Sequence, residues 1–355
     1  MKFSSKIKYN LLAIFASLPA VLASGNISLA SSFSPQPLYS SVNSYKTTIT
    51  TNGDDADIYF PVITSSNLNR QKTPIALLLP GSRVNPSEYS QFASIVASYG
   101  FTVVVPKHIR SLPNFGFTGL VPETSQINDV LDFMTTENSN PSSPIAETLD
   151  VNNFVLVGHS FGGAVGLTAI DNSCIYPLCE EEFKRPKQLQ AAAFYATNTV
   201  VGTGQFLPIR NNGIPIALIR GTLDGSSITP ETTQKNYELI QAPPKALITV
   251  EGANHYGITN NNNPAGARPD PNTPTLSQKK SIETIARWSA LFLRAYALDD
   301  RGALDYVNNT GDALDENVTV VSEVRAVSES NSAWGLLLTT LSFTVFYTKK
   351  KQRNC

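Results

Sequence analysis

Residues 158–163 read GHSFGG and carry the strongest chemical signal in the chain. A serine with glycines two residues away on each side is typical of a sharp strand-to-helix turn that exposes a nucleophilic hydroxyl, because larger neighbours would collide with its strained backbone. An apolar stretch, 154–157, precedes the motif, and a small-residue helical stretch, 162–170, follows it. This context predicts that Ser160 is a nucleophile for acyl transfer.

A nucleophilic serine needs a general base, which is most often histidine. His255 directly follows an apolar strand at 246–250, and so lies at the carboxyl edge of the predicted sheet, where sites of this architecture gather. His159 is part of the serine motif, and we expect its side chain to pack beside the site. His108 follows another strand, and its position favours a loop histidine. The predicted base is therefore His255.

The third member of such a site is a carboxylate that fixes the imidazole tautomer and stabilises its cation. Asp224 follows the apolar strand at 214–220 and lies between Ser160 and His255 in the chain. The resulting order, Ser then Asp then His, is typical of strand–turn–helix serine hydrolases. The carboxylates at 171 and 180–182 belong to a helix or its solvated end. Asp224 is the predicted acid.

Acyl transfer also needs N–H groups for the oxygen that becomes negative. The first predicted donor is the N–H of Phe161, at the start of the helix that follows the serine. The second is the N–H of Ser82, in the loop after the strand at 75–79, where Gly81 lets the backbone approach the substrate. We predict that Gly81, His159 and Tyr256 border the substrate pocket.

The elements that position these residues alternate between short apolar runs and longer amphipathic ones, which predicts βαβ units and a parallel sheet. The fold class is α/β, with a mostly parallel central sheet and helices on both faces. The predicted strands span residues 45–51, 56–61, 75–79, 101–105, 154–157, 190–195, 214–220 and 246–250, and the predicted helices span 87–99, 123–134, 162–170, 229–239 and 281–297.

Four motifs together resemble the α/β-hydrolase superfamily, namely LPGS at 79–82, GHSFGG at 158–163, GTLD at 221–224 and GANH at 252–255. Within it, the chain is similar to the branch of dienelactone hydrolases, platelet-activating-factor acetylhydrolases, chlorophyllases and cutinase-like polyester hydrolases. The resemblance implies a cofactor-free mechanism with an acyl-enzyme on the serine. Ser82 and Arg83 stand where the polyester hydrolases carry an aromatic residue. Phe161 stands where chlorophyllases carry a basic one.

Cleavage of a carboxylic ester is the leading hypothesis. The same triad could serve an amidase, a peptidase or a cofactor-free perhydrolase, and a third hypothesis is a non-catalytic surface-binding protein on a hydrolase scaffold. We expect no cofactor and no metal, because the three histidines lie far apart and no carboxylate–histidine ligand spacing occurs. With 27 basic against 28 acidic residues and no basic stripe in the central region, we expect the partner to be a small or lipid-like ester rather than nucleic acid. We expect a monomer.

Both ends of the chain look like targeting segments. Three lysines precede an apolar run at 11–22 and the small-residue site VLA at 21–23, which predicts a signal peptide, with an uncleaved anchor as the alternative. An apolar run at 333–347 is followed by a basic cluster at 349–353. This end resembles a degenerate PEP-CTERM sorting signal, and a short anchor is the alternative. We therefore expect export and association with a membrane or the cell envelope through this segment.

The asparagine- and proline-rich stretch at 260–274 is a predicted loop that follows His255 and could border the site. Cys174 and Cys179 are close enough in sequence for a small disulfide loop, but the spacing leaves free thiols equally open. The predicted division of the chain is a signal peptide at 1–23, an N-terminal segment at 24–44, a hydrolase domain at 45–310, a flexible polar stalk at 311–332, a short hydrophobic segment at 333–348 and a basic tail at 349–355.

Overall fold

The computed structural model describes residues 33–63, 72–201 and 204–325. The predicted signal peptide, hydrophobic segment and basic tail therefore lie outside the described residues. Among the helices in these ranges, none is both long and apolar enough to cross a membrane. Cys174 and Cys179 are joined in a disulfide, which settles the question that their spacing left open.

Strands and helices alternate along the described residues, as the sequence pattern predicts. The strands are β1 (Val42–Thr48), β2 (Asp55–Pro61), β3 (Thr73–Leu79), β4 (Thr102–Lys107), β5 (Ile109–Leu112), β6 (Phe117–Leu120), β7 (Leu149–His159), β8 (Leu189–Tyr195), β9 (Val200–Val201), β10 (Gln205–Phe206), β11 (Ile216–Gly221), β12 (Lys245–Val250) and β13 (Val318–Glu323). The helices are α1 (Ser90–Ser98), α2 (Ser125–Ser139), α3 (Phe161–Asp171), α4 (Pro230–Leu239), α5 (Gln278–Ala297) and α6 (Arg301–Asp305).

One large sheet organises the domain, with its strands in the order β1-β2-β4-β3-β7-β8-β11-β12-β13. The strands from β4 to β12 in this order pair in parallel. At the two edges the pairs β1–β2, β2–β4 and β12–β13 are antiparallel. Because parallel strands end at the same edge, the loops after β3, β7, β11 and β12 meet there. These loops carry the predicted site residues.

The two faces of the sheet are buried under different helices. In β3, Ile75 and Leu77 pack with α2 and α3, whereas Ala76 and Leu78 pack on the opposite face with α1 and α5. Side chains alternate between faces along a strand, so a continuous apolar run such as TPIALLL fits a strand that is covered on both sides. The predicted arrangement, a mostly parallel sheet with helices on both faces, is confirmed.

Local sequence signals explain where several helices begin. Helix α4 starts after Thr229, whose hydroxyl accepts a hydrogen bond from the N–H of Thr232, with Pro230 at the first helical position. Ser277 caps α5 in the same way. The predicted helix at 87–99 starts later, at Ser90, because residues Pro86–Tyr89 form a 3₁₀ turn capped by Asn85.

The prediction of a flexible stalk at 311–332 is wrong over its described part. Strand β13 lies in this range and pairs along its length with β12, so the folded domain extends beyond residue 310 to Glu323. At its other end the domain includes residues before β1, since Tyr39 is buried and its N–H donates to the Ser98 carbonyl at 2.9 Å. The range is acidic and polar as a whole, but it contains a short β-branched run, VTVV at 318–321, that favours a strand. A polar outer face is normal for an edge strand.

Candidate active site

The structure brings together the three residues that the sequence assigns to catalysis. His255 Nε2 lies 3.0 Å from Ser160 Oγ, and His255 Nδ1 lies 3.0 Å from Asp224 Oδ1. Ser160 follows β7, Asp224 follows β11 and His255 follows β12, so all three stand at the carboxyl edge of the sheet. Asp224 and His255 are each 3% exposed, whereas Ser160 is partly accessible. The arrangement is that of a nucleophile, a general base and an orienting acid.

The nucleophile stands on a strained turn that close backbone packing enforces. Ser160 has φ 54° and ψ −120°, a conformation that residues other than glycine rarely adopt. A Cβ on Gly162 would lie 2.1 Å from the carbonyl oxygen of Leu79, so only glycine lets α3 approach β3 this closely. The N–H of Ser160 donates to the Tyr195 carbonyl at 3.0 Å, and Thr197 Oγ1 donates to the Ser160 carbonyl at 2.7 Å. The turn is therefore fixed on both sides.

The base is held at its backbone as well as at its ring. Its N–H donates to Asp270 Oδ2 at 2.8 Å, and its carbonyl accepts a hydrogen bond from His159 Nε2 at 2.9 Å. With Nδ1 on Asp224 and Nε2 on Ser160, each polar atom of His255 has a partner. The imidazole therefore has little freedom to leave the serine.

A chain of hydrogen bonds connects the oxyanion loop with the base. The N–H of Gly81 donates to Tyr89 Oη at 2.8 Å, and Tyr89 Oη lies 2.8 Å from His159 Nδ1. Because His159 Nε2 faces the His255 carbonyl, it must carry the ring proton, so Nδ1 accepts the proton of Tyr89. Burial, together with the charge of His255, lowers the pKa of His159 well below its ordinary value and keeps it in this neutral form. Burial also raises the pKa of Tyr89 far above its usual range, so the phenol stays protonated.

The pKa of Asp224 is set by opposing effects of burial and of His255. Burial raises the pKa of Asp224, the hydrogen bond from His255 lowers it, and the negative charge of Asp270 adds to the rise. A buried carboxylate of this kind gains most when a cation forms on the neighbouring imidazole. Asp224 is therefore suited to stabilise the protonated form of His255.

The two predicted oxyanion donors, Phe161 and Ser82, follow β7 and β3, which are neighbouring parallel strands that end at the same edge of the sheet. Phe161 is the first residue of α3, so its N–H is one of those that a helix leaves without an internal partner. In the described part of the chain, neither this N–H nor that of Ser82 donates to another protein group. The turn at Ser82 is fixed by its neighbour, since the Arg83 N–H donates to the Leu120 carbonyl at 2.8 Å and its guanidinium stacks 4.2 Å from the Phe117 ring.

Two of the predicted pocket residues, His159 and Tyr256, are buried. His159 is fully buried beneath the site, where both of its ring nitrogens are used by Tyr89 and the His255 backbone. Tyr256 is 3% exposed and its hydroxyl donates to the Arg268 carbonyl. Gly81 is also buried. A cavity of about 830 Å³ lies elsewhere, against the starts of β8 and β11 and so at the opposite edge of the sheet.

His108 belongs to a charge cluster beside the site rather than to the triad. Its Nδ1 lies 2.8 Å from Asp54 Oδ2, and its Nε2 lies 3.2 Å from Glu123 Oε1. Burial alone would lower the pKa of His108, but the hydrogen bonds to these two carboxylates raise it to about 9. The hydrogen bond with His108 in turn lowers the pKa of Glu123. The loop position predicted for His108 is confirmed, since it lies between β4 and β5. The protonated ring of His108 connects this loop with Asp54, just before β2, and with Glu123, just before α2.

Asp270 is the residue of this site that the sequence reasoning missed. It lies in the predicted loop at 260–274 and is 5% exposed, between Pro269 and Pro271. Rigid flanking prolines around a lone acidic residue were the available signal, but they do not indicate which distant groups a carboxylate will meet.

Comparison with protein families bears on the N-terminal half of the domain. Residues 40–174 match the family model described as Chlorophyllase, a family of α/β-hydrolases. The protein has the α/β-hydrolase fold. The matched range contains the loop of Gly81 and the Ser160 turn, but it ends before Asp224 and His255. The match indicates an esterase-like hydrolase. No curated protein matches the chain.

Proposed function

We propose that this protein is a serine hydrolase that cleaves carboxylic esters with Ser160 as nucleophile, His255 as general base and Asp224 as the orienting acid. One observation carries the proposal. The hydroxyl of Ser160, both ring nitrogens of His255 and the Asp224 carboxylate form an unbroken series with two 3.0 Å contacts. Three separate loops contribute these residues, and a purely structural role for a strained serine would not need this alignment.

In the first step, Ser160 Oγ attacks the carbonyl carbon of the ester as His255 Nε2 removes its proton. The positive charge on the imidazole is stabilised by Asp224 on the other side of the ring. The carbonyl oxygen becomes negative and accepts hydrogen bonds from the N–H groups of Phe161 and Ser82. A donor of this kind contributes about 2.7–4 kcal/mol of transition-state stabilisation.

In the second step, the tetrahedral intermediate collapses and the C–O bond to the alcohol breaks. His255 passes its proton to the departing alkoxide, which leaves an acyl group on Ser160. Water then enters, His255 removes a proton from it, and the resulting hydroxide attacks the acyl carbon. The bond from this carbon to Ser160 Oγ breaks, His255 returns the proton to Oγ, and the carboxylic acid leaves. No cofactor takes part in this sequence.

The substrate that we propose is a small or lipid-like ester of low charge. Support comes from the balanced charge of the chain and from Phe161, a partly exposed aromatic side chain next to the nucleophile. We also propose that the protein acts as a monomer.

The test is hydrolysis of nitrophenyl esters from acetate to palmitate by the full chain. The Ser160→Ala variant should lose turnover and labelling by a fluorophosphonate. Its matched control is Ser142→Ala, an exposed serine on a turn, which should behave like the wild type. A folded wild-type protein that neither turns over an ester nor is labelled would rule out the proposal. Faster cleavage of the matching nitroanilides would favour an amidase.

We further propose that the protein is exported and held at a membrane or the cell envelope through residues 333–355. The sequence pattern at both ends supports this proposal. In the native host, deletion of residues 333–355 should move the protein from the membrane fraction to the soluble exported fraction without changing its turnover. If the truncated and full-length proteins fractionate alike, the segment is not the tether.

A further inference from the structure

A second buried carboxylate lies beside the triad without belonging to it. Asp270 is 5% exposed and, within the described ranges, forms no ion pair with a basic side chain. Its oxygens accept hydrogen bonds from three backbone N–H groups instead. His255 donates at 2.8 Å and Gly225 at 3.2 Å, both to Oδ2, and Asn272 donates at 2.8 Å to Oδ1.

Two of these donors belong to the catalytic loops themselves. Gly225 is the residue after Asp224, and His255 is the base, so one oxygen of Asp270 joins the loop after β11 to the loop after β12. These strands are parallel neighbours, and their loops have no covalent link near the site. The shared oxygen therefore adds a link between the two loops, beside the direct hydrogen bonds that the Leu223 N–H donates to the Ala253 carbonyl at 2.9 Å and the Gly252 N–H donates to Thr222 Oγ1 at 2.9 Å.

We propose that Asp270 is a positioning residue that holds the acid loop and the base loop in catalytic register through their backbone N–H groups. The inference rests on the proposed function, since positioning has a meaning only if the triad works. Buried carboxylates without a cation are costly, and backbone N–H groups are the partners that make this one tolerable. The charge acts on the site as well, because Asp270 is one of the groups that raise the pKa of Asp224.

Asp270 is itself held by the loop that carries it. Its N–H donates to Asn263 Oδ1 at 2.8 Å, and Asn263 is exposed with φ 55°. Near the same place, Asn254 Nδ2 donates to the Asn272 carbonyl at 2.9 Å. The loop therefore has side-chain contacts on both sides of Asp270, and weakening one of them should loosen the carboxylate without opening the core.

The decisive variant is Asp270→Asn, measured in the full chain with the best nitrophenyl ester. An amide keeps the volume, but one of its two ends must then turn an N–H₂ toward an N–H donor. Because a small displacement of a reacting group is costly, we expect kcat to fall about 10- to 100-fold with KM nearly unchanged. The control is Asp315→Asn, another buried carboxylate that bonds to Arg287 and Trp288 away from the site, and it should lower the melting temperature but not kcat.

Asn263→Gly is the second variant, in case Asp270→Asn does not fold. Glycine adopts the positive φ of Asn263 freely, so this change removes only the hydrogen bond to Asp270. We expect a several-fold loss of kcat at unchanged KM. A folded Asp270→Asn protein with wild-type kcat would overturn the inference, as would a loss of kcat that Asp315→Asn shares in full. Absence of turnover in the wild type would instead reject the proposed function.

Discussion

The turn that carries Ser160 and the loop that carries His255 are held in different ways. The turn is fixed by close backbone contact, as at Gly162 against the Leu79 carbonyl. The loop is fixed by side chains from distant segments, with His159 on its carbonyl and Asp270 on its N–H. Contact of the first kind depends on small residues at fixed local spacing. Contact of the second kind depends on polar side chains that folding brings together.

The largest effect on turnover and stability is expected at Gly162. In Gly162→Ala the new Cβ would meet the Leu79 carbonyl, so α3 must move away from β3. We expect ester turnover to vanish and the free energy of unfolding to fall by about 3 kcal/mol or more. Urea denaturation and the nitrophenyl assay check this. The control is Gly53→Ala, which meets nothing within 4 Å and carries only the strain of its positive φ, so turnover should persist.

The next effect is expected at Tyr89, which belongs to the side-chain network of the base loop. Tyr89→Phe leaves the N–H of Gly81 and Nδ1 of His159 without a partner. We expect a loss of about 2 kcal/mol in the free energy of unfolding and a several-fold fall in kcat. Tyr99→Phe is the control, because that hydroxyl donates to the Pro35 carbonyl far from the site. Equal kcat values for the two variants would show that the network does not reach the base.

The smallest effect on turnover is expected at His108, which is held by the carboxylates of Asp54 and Glu123. A change there should act on stability instead. The His108 pKa of about 9 lies above the ordinary value, so the stabilisation is complete at low pH and is lost as the pH rises through about 9. His108→Gln should therefore lower the free energy of unfolding by about 1–2 kcal/mol at about pH 6 and much less at about pH 10. Denaturation curves at both pH values test this, and a loss that does not depend on pH would contradict it.

This difference explains what the sequence could predict. The GHSFGG motif and the apolar strands are local patterns, so the fold and the close approach of Ser160, Asp224 and His255 follow from them. The partners of His159 and of Asp270 lie 96 and 15 residues away in the chain. Nothing in their local sequence specifies these partners. Strand β13 was missed for another reason, because an edge strand shares its outer face with solvent and looks polar.

The direction of β13 has a consequence for how the protein meets its surroundings. Val318 pairs with Val250 and Glu323 pairs with Lys245, so the chain runs from the catalytic edge of the sheet back to the opposite edge. There, Arg325 donates to the Gly213 carbonyl just before β11. The last residue that the structure describes, Arg325, therefore lies at the edge of the sheet opposite Ser160. Contacts made at this end of the described chain would therefore leave the edge that carries Ser160 open to substrate.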